Sequence, residues 1–383
     1  METSPAMPAS PRERARTSPS PGEDRAGEAF ELVVRCAWPR RAEAGEERIR
    51  SLLAGQPDWN AVQRVAGYHQ MRPLLYRTLK TVAPEAVPAG VMETLARQAR
   101  NTAAFNTFLA TELVRLRGRL EQEGIPVLTL KGPAVALLAY GDLSLRPFVD
   151  LDLLIRPADY PALERMLHEE GYTLFRRHAA RSPVMQRVHL LLSRQAPFTR
   201  GGVFNLDVHT HIMPPLYHYT PRFEELRGRA VRLAMGNGEV PGLHPEDLVL
   251  MLCFHGEKNR WETLKYVCDL AWLIERHPEL DWSCILQRAD RTQGRRILLL
   301  GLELARHYYD VALPETVREA IRRDGKVDGL RRHITGRLPR QHELGVAPFG
   351  ERMRLHMALQ NALRTKARYL FFALVRRVVD FEA

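Results

Sequence analysis

The stretch 125–155 reads IPVLTLKGPAVALLAYGDLSLRPFVDLDLLI and decides the fold of this chain. It begins and ends with short apolar runs, residues 125–130 and 149–155, which are typical of buried strands. Between them, the run 134–140 has the composition of a short helix, and Gly141 ends it. A strand, a helix and a second strand in so few residues predict a compact α+β unit.

The same pattern continues along the chain. A helix is predicted over residues 159–170, and two further strand-like runs follow at 172–175 and 204–209. We therefore expect an α+β fold in which a small mixed β-sheet forms the core. Helical regions flank this core on its N-terminal and C-terminal sides.

Composition and periodicity divide the rest of the chain into regions. Residues 1–28 are rich in Pro, Ser and Arg and poor in apolar side chains, which predicts a disordered tail. An N-terminal helical region is predicted over 29–115, and the sheet-containing core over 116–212. A helical domain that closes over the substrate follows at 213–315, and a basic helical region at 316–383.

The overall composition excludes several classes of protein. The chain has 383 residues, of which 45% are hydrophobic, so wholesale disorder is excluded. No apolar run approaches the ~20 residues that span a bilayer, and the N-terminus lacks the apolar segment of a secretory signal. The 4 cysteines are widely spaced without a CxxC motif, which argues against a zinc knuckle or a disulfide framework. A cytoplasmic protein is expected.

Arginine supplies almost all of the positive charge, because only six of the 56 basic residues are lysines. A genome that favours arginine codons explains this bias, and attraction to a nucleotide, a nucleic acid or an anionic membrane is the alternative. The basic stretch 351–379 predicts either an amphipathic helix on a membrane or partner, or one that packs on its own domain. Since lysine is so rare, each lysine becomes a candidate functional residue.

The sequence Asp150-Leu151-Asp152 is the sharpest functional signal. Residues i and i+2 of a strand project to the same face, so Asp150 and Asp152 would lie about 7 Å apart. Two carboxylates in an apolar strand repel each other, and a divalent cation such as Mg²⁺ compensates that repulsion. The alternative is a solvated strand end, or a salt bridge to Arg146 or Arg156.

Three neighbouring features favour a site that handles phosphate. Lys131-Gly132-Pro133 stands where a strand leads into a helix, and the lysine charge and the free N–H groups there suit phosphate. Arg146 precedes the carboxylates and has the geometry for bidentate binding of phosphate oxygens. Asp207 offers a third carboxylate, with His209 on the same strand face. Taken singly, each has a structural alternative: a salt bridge, a solvent-facing carboxylate or a structural histidine.

Taken in order, these motifs resemble the uncharacterised nucleotidyltransferase family of bacteria, within the DNA polymerase β-like nucleotidyltransferase superfamily. The resemblance rests on Lys131-Gly132, Asp150-Leu151-Asp152 and Asp207-Val208-His209, and it extends over residues 45–310. Further matching positions are Tyr140-Gly141, Arg146-Pro147, Gly171-Tyr172, His255, Lys258, Arg260-Trp261, Leu264, Asp269-Leu270 and Asp281-Trp282.

The resemblance implies roles for some of these positions, and His255 and Lys258 share a helix face that either closes over the nucleotide or forms a solvated last turn. Asp150, Asp152 and Asp207 match the catalytic and metal-binding carboxylates, with Mg²⁺ or Mn²⁺ as the cofactor. The residues expected to bind the nucleotide are Lys131, Gly132, Arg146 and Lys258. The residues expected next to the metal ligands are His209 and His255. The superfamily that contains this family usually has a serine at the position of Pro133. Proline lacks both the serine hydroxyl and a backbone N–H donor.

The reaction implied is attack of an acceptor group on the α-phosphate of an NTP, with ATP weakly favoured, and release of pyrophosphate. The missing serine leaves a second hypothesis, a catalytically degenerate NTP-binding or scaffold protein on the same fold. Nucleic-acid binding through the basic surface is a third, although no aromatic RNA-recognition motif is present. The acceptor, whether a small molecule, a peptide, a tRNA or a protein, cannot be read from the sequence.

Overall fold

The computed structural model of the protein describes residues 21–38, 43–175, 188, 190–215, 217, 219–345, 348–360, 365–367 and 369–371. Within these residues one sheet is formed by strands β1 to β7, which are Val127–Thr129, Leu151–Ile155, Thr173–Leu174, Gln195–Arg200, Phe204–His209, Val231–Met235 and Gly238–Gly242. The strand order is β3-β4-β5-β2-β1-β7-β6. β2 is parallel to β5 and β1 to β7, whereas the other neighbours are antiparallel. The sheet is therefore mixed, and the expected α+β class is confirmed.

Helices flank this sheet. The helices α1 to α16 are Pro21–Cys36, Glu43–Ala54, Trp59–Tyr68, Arg72–Val82, Ala89–Gln122, Pro133–Val135, Tyr160–Glu169, Phe223–Gly228, Pro245–Lys258, Leu264–Arg276, Trp282–Arg291, Arg295–Tyr309, Glu315–Arg323, Val327–Arg337, Gln341–Leu344 and Phe349–Leu359. The short α6 continues as a π-helical turn that ends at Gly141 in the left-handed conformation. Of the described helices, none combines the length and the apolarity that crossing a bilayer requires.

The loop that precedes β2 is held by the long helix α5. Asn106, which is buried on α5, donates from Nδ2 to the carbonyl oxygens of Leu143 at 2.5 Å and Arg146 at 2.9 Å. Every residue of β2 is buried, as expected for an interior strand that is covered on both faces. The polar side chain of Asp152 is thus placed in an apolar strand whose position is fixed from both sides.

The predicted strands agree with the structure where a strand lies within a short apolar run of the sequence. The runs 125–130, 149–155 and 172–175 each contain a strand, and the run 204–209 coincides with β5. Strands β4, β6 and β7 are not predicted by the sequence pattern. β7 contains two glycines and a proline, and β4 contains a proline, so neither resembles a β-branched run.

Three predicted region boundaries differ from the bounds of the elements. The helix α1 begins at Pro21, inside the predicted tail, whereas residues 1–20 lie outside the described residues. The helix α5 continues past residue 115 as far as Gln122. The β6–β7 hairpin extends the sheet beyond residue 212, because Gly242 pairs in parallel with Thr129 of β1. Helical periodicity identifies the apolar face of a helix but not the element against which it packs.

The described part of the basic C-terminal stretch packs on the protein itself. Leu355 and Leu359 of α16 are buried, and His356 donates a hydrogen bond to the buried carboxylate of Glu257 in α9. This contact supports the alternative in which the stretch packs on its own domain. Much of 351–379 lies outside the described residues.

Trp261 is the largest fully buried side chain described, and it follows the end of α9. Its backbone adopts a φ of 54°, an unusual value for a bulky residue. The indole ring packs directly on Gly256 of α9 and Gly301 of α12. A Cβ added at Gly256 would lie 2.6 Å from two ring atoms. The glycine therefore allows the tryptophan to pack against the helix that carries His255 and Lys258.

We expect Gly256→Ala to destabilise the protein by about 1–3 kcal/mol, because the new methyl group overlaps the buried indole. Gly329→Ala is the matched control, since Gly329 is exposed in α14 with no atom within 4 Å of an added Cβ. The control should stabilise the protein by roughly 0.5–1 kcal/mol through helix propensity. Urea denaturation followed by circular dichroism measures both. Equal shifts of the same sign would contradict this packing argument.

Candidate functional site

Asp152 and Asp207 lie next to each other near the middle of the sheet. They are register partners on the parallel strands β2 and β5, so their side chains share one face. Asp152 is only 1% exposed, whereas Asp207 is half-buried. The proximity of these two predicted carboxylates follows directly from the pairing of the two strands.

Two further polar side chains hold these carboxylates in place. The Nε2 atom of His209 lies 2.9 Å from Oδ1 of Asp152. Gln195 of β4 donates from Nε2 to Oδ2 of Asp207 at 2.5 Å. One possible ligand atom from each of Asp152, Asp207 and His209 lies within 4.8 Å of the other two. Oxygen and imidazole nitrogen at this spacing fit a divalent cation.

Asp150 is close to this group without being part of it. The strand begins at Leu151, so Asp150 lies just before it and is half-buried. Burial raises the pKa of Asp150, and the negative charges of Asp152 and Asp207 raise it further. Among the described residues, the compact ligand group contains Asp152, Asp207 and His209. The role of Asp150 as a metal ligand therefore stays a prediction.

The ammonium group of Lys131 makes the closest contact with the buried carboxylate. Its Nζ lies 2.6 Å from Oδ1 of Asp152. Burial by itself would raise the pKa of Asp152, but Lys131 and the hydrogen bond from His209 outweigh it and hold that pKa well below its usual range. Burial opposes the charged form of Lys131 as well, yet attraction to Asp152 raises its pKa. Both groups are therefore ionised at neutral pH.

Gly132 makes the turn that presents Lys131 to the carboxylates. Its φ is 54°, and an added Cβ would lie 3.1 Å from the carbonyl oxygen of Asp150. A side chain at this position would thus be strained in its backbone conformation and would crowd the chain entering β2. The carbonyl oxygen of Gly132 accepts a hydrogen bond from the backbone of Ala136 at 3.1 Å, which fixes the turn.

Arg146 forms a buried ion pair with Asp269 of α10. Its Nε and Nη2 donate to the two carboxylate oxygens of Asp269 at 2.8 and 2.9 Å. The hydroxyl of Tyr140 donates to the same carboxylate at 2.8 Å. The sequence-based alternative placed the salt bridge at Asp150 or Asp152, and the structure corrects the partner to Asp269. Arg146 thus connects the loop before β2 to α10, and a phosphate contact stays a prediction.

Helices α9 and α10 bring further basic side chains to the carboxylates. The ring of His255 stands edge-on to Tyr266, with 5.2 Å between centroids. Burial holds the pKa of His255 well below its usual value, and the positive charges of Lys131 and Lys258 lower it further. The end of α9 therefore lies near Lys131 and Asp152, and the closing role of this helical domain stays a prediction.

Lys265 lies near Asp150 and Lys131, and no motif of the sequence indicates it. Its Nζ donates to Oε1 of Gln70 at 2.7 Å and to the carbonyl oxygen of Pro147 at 3.0 Å. Burial lowers the pKa of Lys265 to about 7, and the neighbouring Arg146 contributes. The rarity of lysine was the signal that could have found it. Lys131 and Lys265 both lie near Asp150, and Lys258 lies near His255, so this region contains three of the six lysines of the chain.

Comparison with known proteins shows the family to which the chain belongs. A sequence model of the family described as uncharacterised nucleotidyltransferase matches residues 55–310. The solution structure of the antibiotic-resistance factor ANT(2'')-Ia is 13% identical, with a TM-score of 0.35, and the match covers 53% of this chain and 100% of that one. An antigenic nucleotidyltransferase-like protein from Paracoccidioides brasiliensis is 15% identical, with a TM-score of 0.30, over 56% of this chain and 92% of that one. No curated protein matches the chain.

We expect Arg146→Met to destabilise the protein by about 3–5 kcal/mol, because it leaves the carboxylate of Asp269 buried without its partner. Arg232→Met is the matched control, since Arg232 pairs with Glu239 on the exposed surface. That substitution should cost about 0–1 kcal/mol. Guanidinium denaturation of both variants measures the difference. Unchanged stability of Arg146→Met together with weaker NTP binding would instead favour the phosphate-binding role.

Proposed function

Because this chain belongs to the uncharacterised nucleotidyltransferase family, we propose that it moves a nucleoside monophosphate from an NTP to an acceptor and releases pyrophosphate. The observation that carries the proposal is the pairing of Asp152 with Asp207 on adjacent parallel strands. Lys131 contacts Asp152, Lys265 lies near Asp150, and Lys258 lies near His255. Opposed anionic and cationic groups of this kind suit a metal-bound polyphosphate.

The described residues fit the divalent cation that nucleotidyl transfer uses. Asp152, Asp207 and His209 would hold the ion, with Asp150 as a further ligand. Carboxylate oxygens favour Mg²⁺ or Mn²⁺ among the common metals. When bound, the ion supplies charge neutralisation and alignment of the triphosphate.

Asp207 would receive the proton of the acceptor. Its second oxygen is held by Gln195, so the carboxylate has a fixed orientation. Burial and the charge of Asp152 raise the pKa of Asp207 in the metal-free protein, and a bound cation would keep this carboxylate ionised and able to accept a proton. The acceptor oxygen would lose its proton to Asp207 and form a bond to the α-phosphorus. The bond from that phosphorus to pyrophosphate breaks as the new bond forms.

In the superfamily that the chain resembles, a Gly-Ser turn holds the nucleotide phosphates, and here lysines would take over part of that binding. Pro133 lacks the hydroxyl and the N–H donor, but Lys131 stands two residues earlier on the same turn. Lys258 and Lys265 would neutralise phosphate oxygens from the side of α9 and α10. An ammonium group is a compact charge that suits this task. We propose an NTP, with ATP weakly favoured, as the donor, and the cytoplasm as the compartment.

We expect Asp152→Asn and Asp207→Asn to lower pyrophosphate release by about 10²–10⁴-fold, the range for loss of a general base or an electrostatic group. Asp328→Asn is the control, since Asp328 is exposed at the start of α14. Pyrophosphate release against pools of acceptors, with Mg²⁺ and each NTP, measures the loss. Mg²⁺-dependent NTP binding that survives unchanged in Asp152→Asn would contradict the proposal. Tight NTP binding by the natural chain without release against any pool would favour the scaffold alternative.

We expect NTP binding to weaken as the pH rises through about 7, because the pKa of Lys265 lies there in the free protein. Triphosphate favours the charged ammonium, so binding at pH 8 should take up a proton, and Lys265→Met should abolish that uptake. Isothermal titration in two buffers of different ionisation enthalpy measures it. Lys326→Met, at an exposed position before α14, should leave the uptake unchanged. If Lys265→Met takes up as many protons as the natural chain on NTP binding, Lys265 is not part of the NTP-binding site.

A further inference from the structure

Lys131 and His209 contact the same carboxylate oxygen. The Nζ atom of Lys131 lies 2.6 Å from Oδ1 of Asp152, and Nε2 of His209 lies 2.9 Å from it. Asp152 is 1% exposed, so its charge has little solvent to stabilise it, whereas the side chain of Lys131 is 18% exposed. The ammonium group is therefore the counter-ion of a buried carboxylate, on a side chain that keeps some contact with solvent.

The same carboxylate belongs to the group that fits a divalent cation. Such an ion binds carboxylate oxygens at about 2.0–2.6 Å. An ammonium group at 2.6 Å from Oδ1 of Asp152 would then lie next to a doubly charged ion, and the two cations would repel each other strongly in this half-buried site. The two cations therefore compete for the charge of Asp152.

The surroundings limit where the Lys131 ammonium can go after it leaves Asp152. Lys265 lies on the neighbouring helix α10 and repels it, and the neutral ring of His255 offers no charge to attract it. Asp150 and Asp207 also attract Lys131, but under the proposed function both would contact the divalent ion themselves. An added anion is thus the partner that can accept the displaced ammonium. The triphosphate of the NTP is such an anion.

We propose that the Lys131 ammonium and the divalent ion are alternative partners of Asp152, exchanged when a nucleoside triphosphate binds. The inference rests on the proposed function and specifies how its site is loaded. Without nucleotide, Lys131 occupies the carboxylate and keeps metal affinity low. With nucleotide, the ammonium moves to the phosphates and the ion binds to Asp152. Metal and nucleotide therefore bind with positive coupling that depends on Lys131.

The test is the binding of Mn²⁺ to the full chain, measured by electron paramagnetic resonance of the free ion. Without nucleotide, Lys131→Met should bind Mn²⁺ at least about tenfold more tightly than the natural chain, a typical size for coupling between sites. With the non-hydrolysable α,β-methylene analogue of ATP, the natural chain should gain Mn²⁺ affinity by a similar factor. The gain should be smaller in Lys131→Met, because no ammonium has to be displaced.

Two variants serve as controls, and a third replaces Lys131→Met if that variant does not fold. Lys265→Met removes a charge near the site that contacts Gln70 and Pro147 rather than Asp152, so its effect on Mn²⁺ affinity should be clearly smaller. Lys326→Met changes an exposed lysine and should have no effect. Lys131→Gln keeps a hydrogen-bond donor beside Asp152 and replaces Lys131→Met if circular dichroism shows that the latter is unfolded.

Each outcome decides between the inference and the function on which it rests. If folded Lys131→Met binds Mn²⁺ without nucleotide no more tightly than the natural chain, the exchange is overturned, whether or not the chain transfers nucleotides. If neither chain binds Mn²⁺ even with the ATP analogue, the proposed metal site and the proposed function fail together. Tighter binding by Lys131→Met, with a reduced gain from nucleotide, supports the exchange.

Discussion

The structure depends on the electrostatic compensation of one buried carboxylate. Asp152 lies in an interior strand where an unpaired charge is costly. The strand pairing that buries it also places Asp207 beside it, which increases the negative charge. Lys131 and His209 offset this charge through direct contacts with Asp152. The turn at Gly132 positions Lys131, and the β2–β5 pairing positions His209. Both are therefore needed to compensate the charge of Asp152.

A second buried ion pair connects the loop before the Asp152 strand to the helical domain. Arg146 and Asp269 join the loop before β2 to α10, and Tyr140 adds a hydrogen bond to the same carboxylate. Lys265 lies one turn before Asp269 on α10, and it donates to the carbonyl oxygen of Pro147, which follows Arg146. The contacts that hold the loop against α10 therefore also determine where the lysine of that helix lies relative to the carboxylates.

The sequence predicts the parts of the site that local periodicity determines. Strand alternation indicated that Asp207 and His209 share a face, and both lie beside Asp152 as that argument requires. The partner of Arg146 could not be predicted, because Asp269 is 123 residues away and the choice depends on helix packing. The β6–β7 hairpin was missed for the same reason, since its pairing with β1 rather than its own composition makes it part of the sheet.

The choice between lysine and arginine at the site has a physical explanation. An arginine binds a carboxylate through two parallel hydrogen bonds and is held in that geometry, as Arg146 is by Asp269. A lysine makes a contact through a single nitrogen on a flexible stem, as Lys131 does with Asp152. In a chain whose basic residues are almost all arginines, the fixed structural pair uses arginine. Lysine stands at position 131, where the ammonium group would have to leave Asp152 when the nucleotide binds.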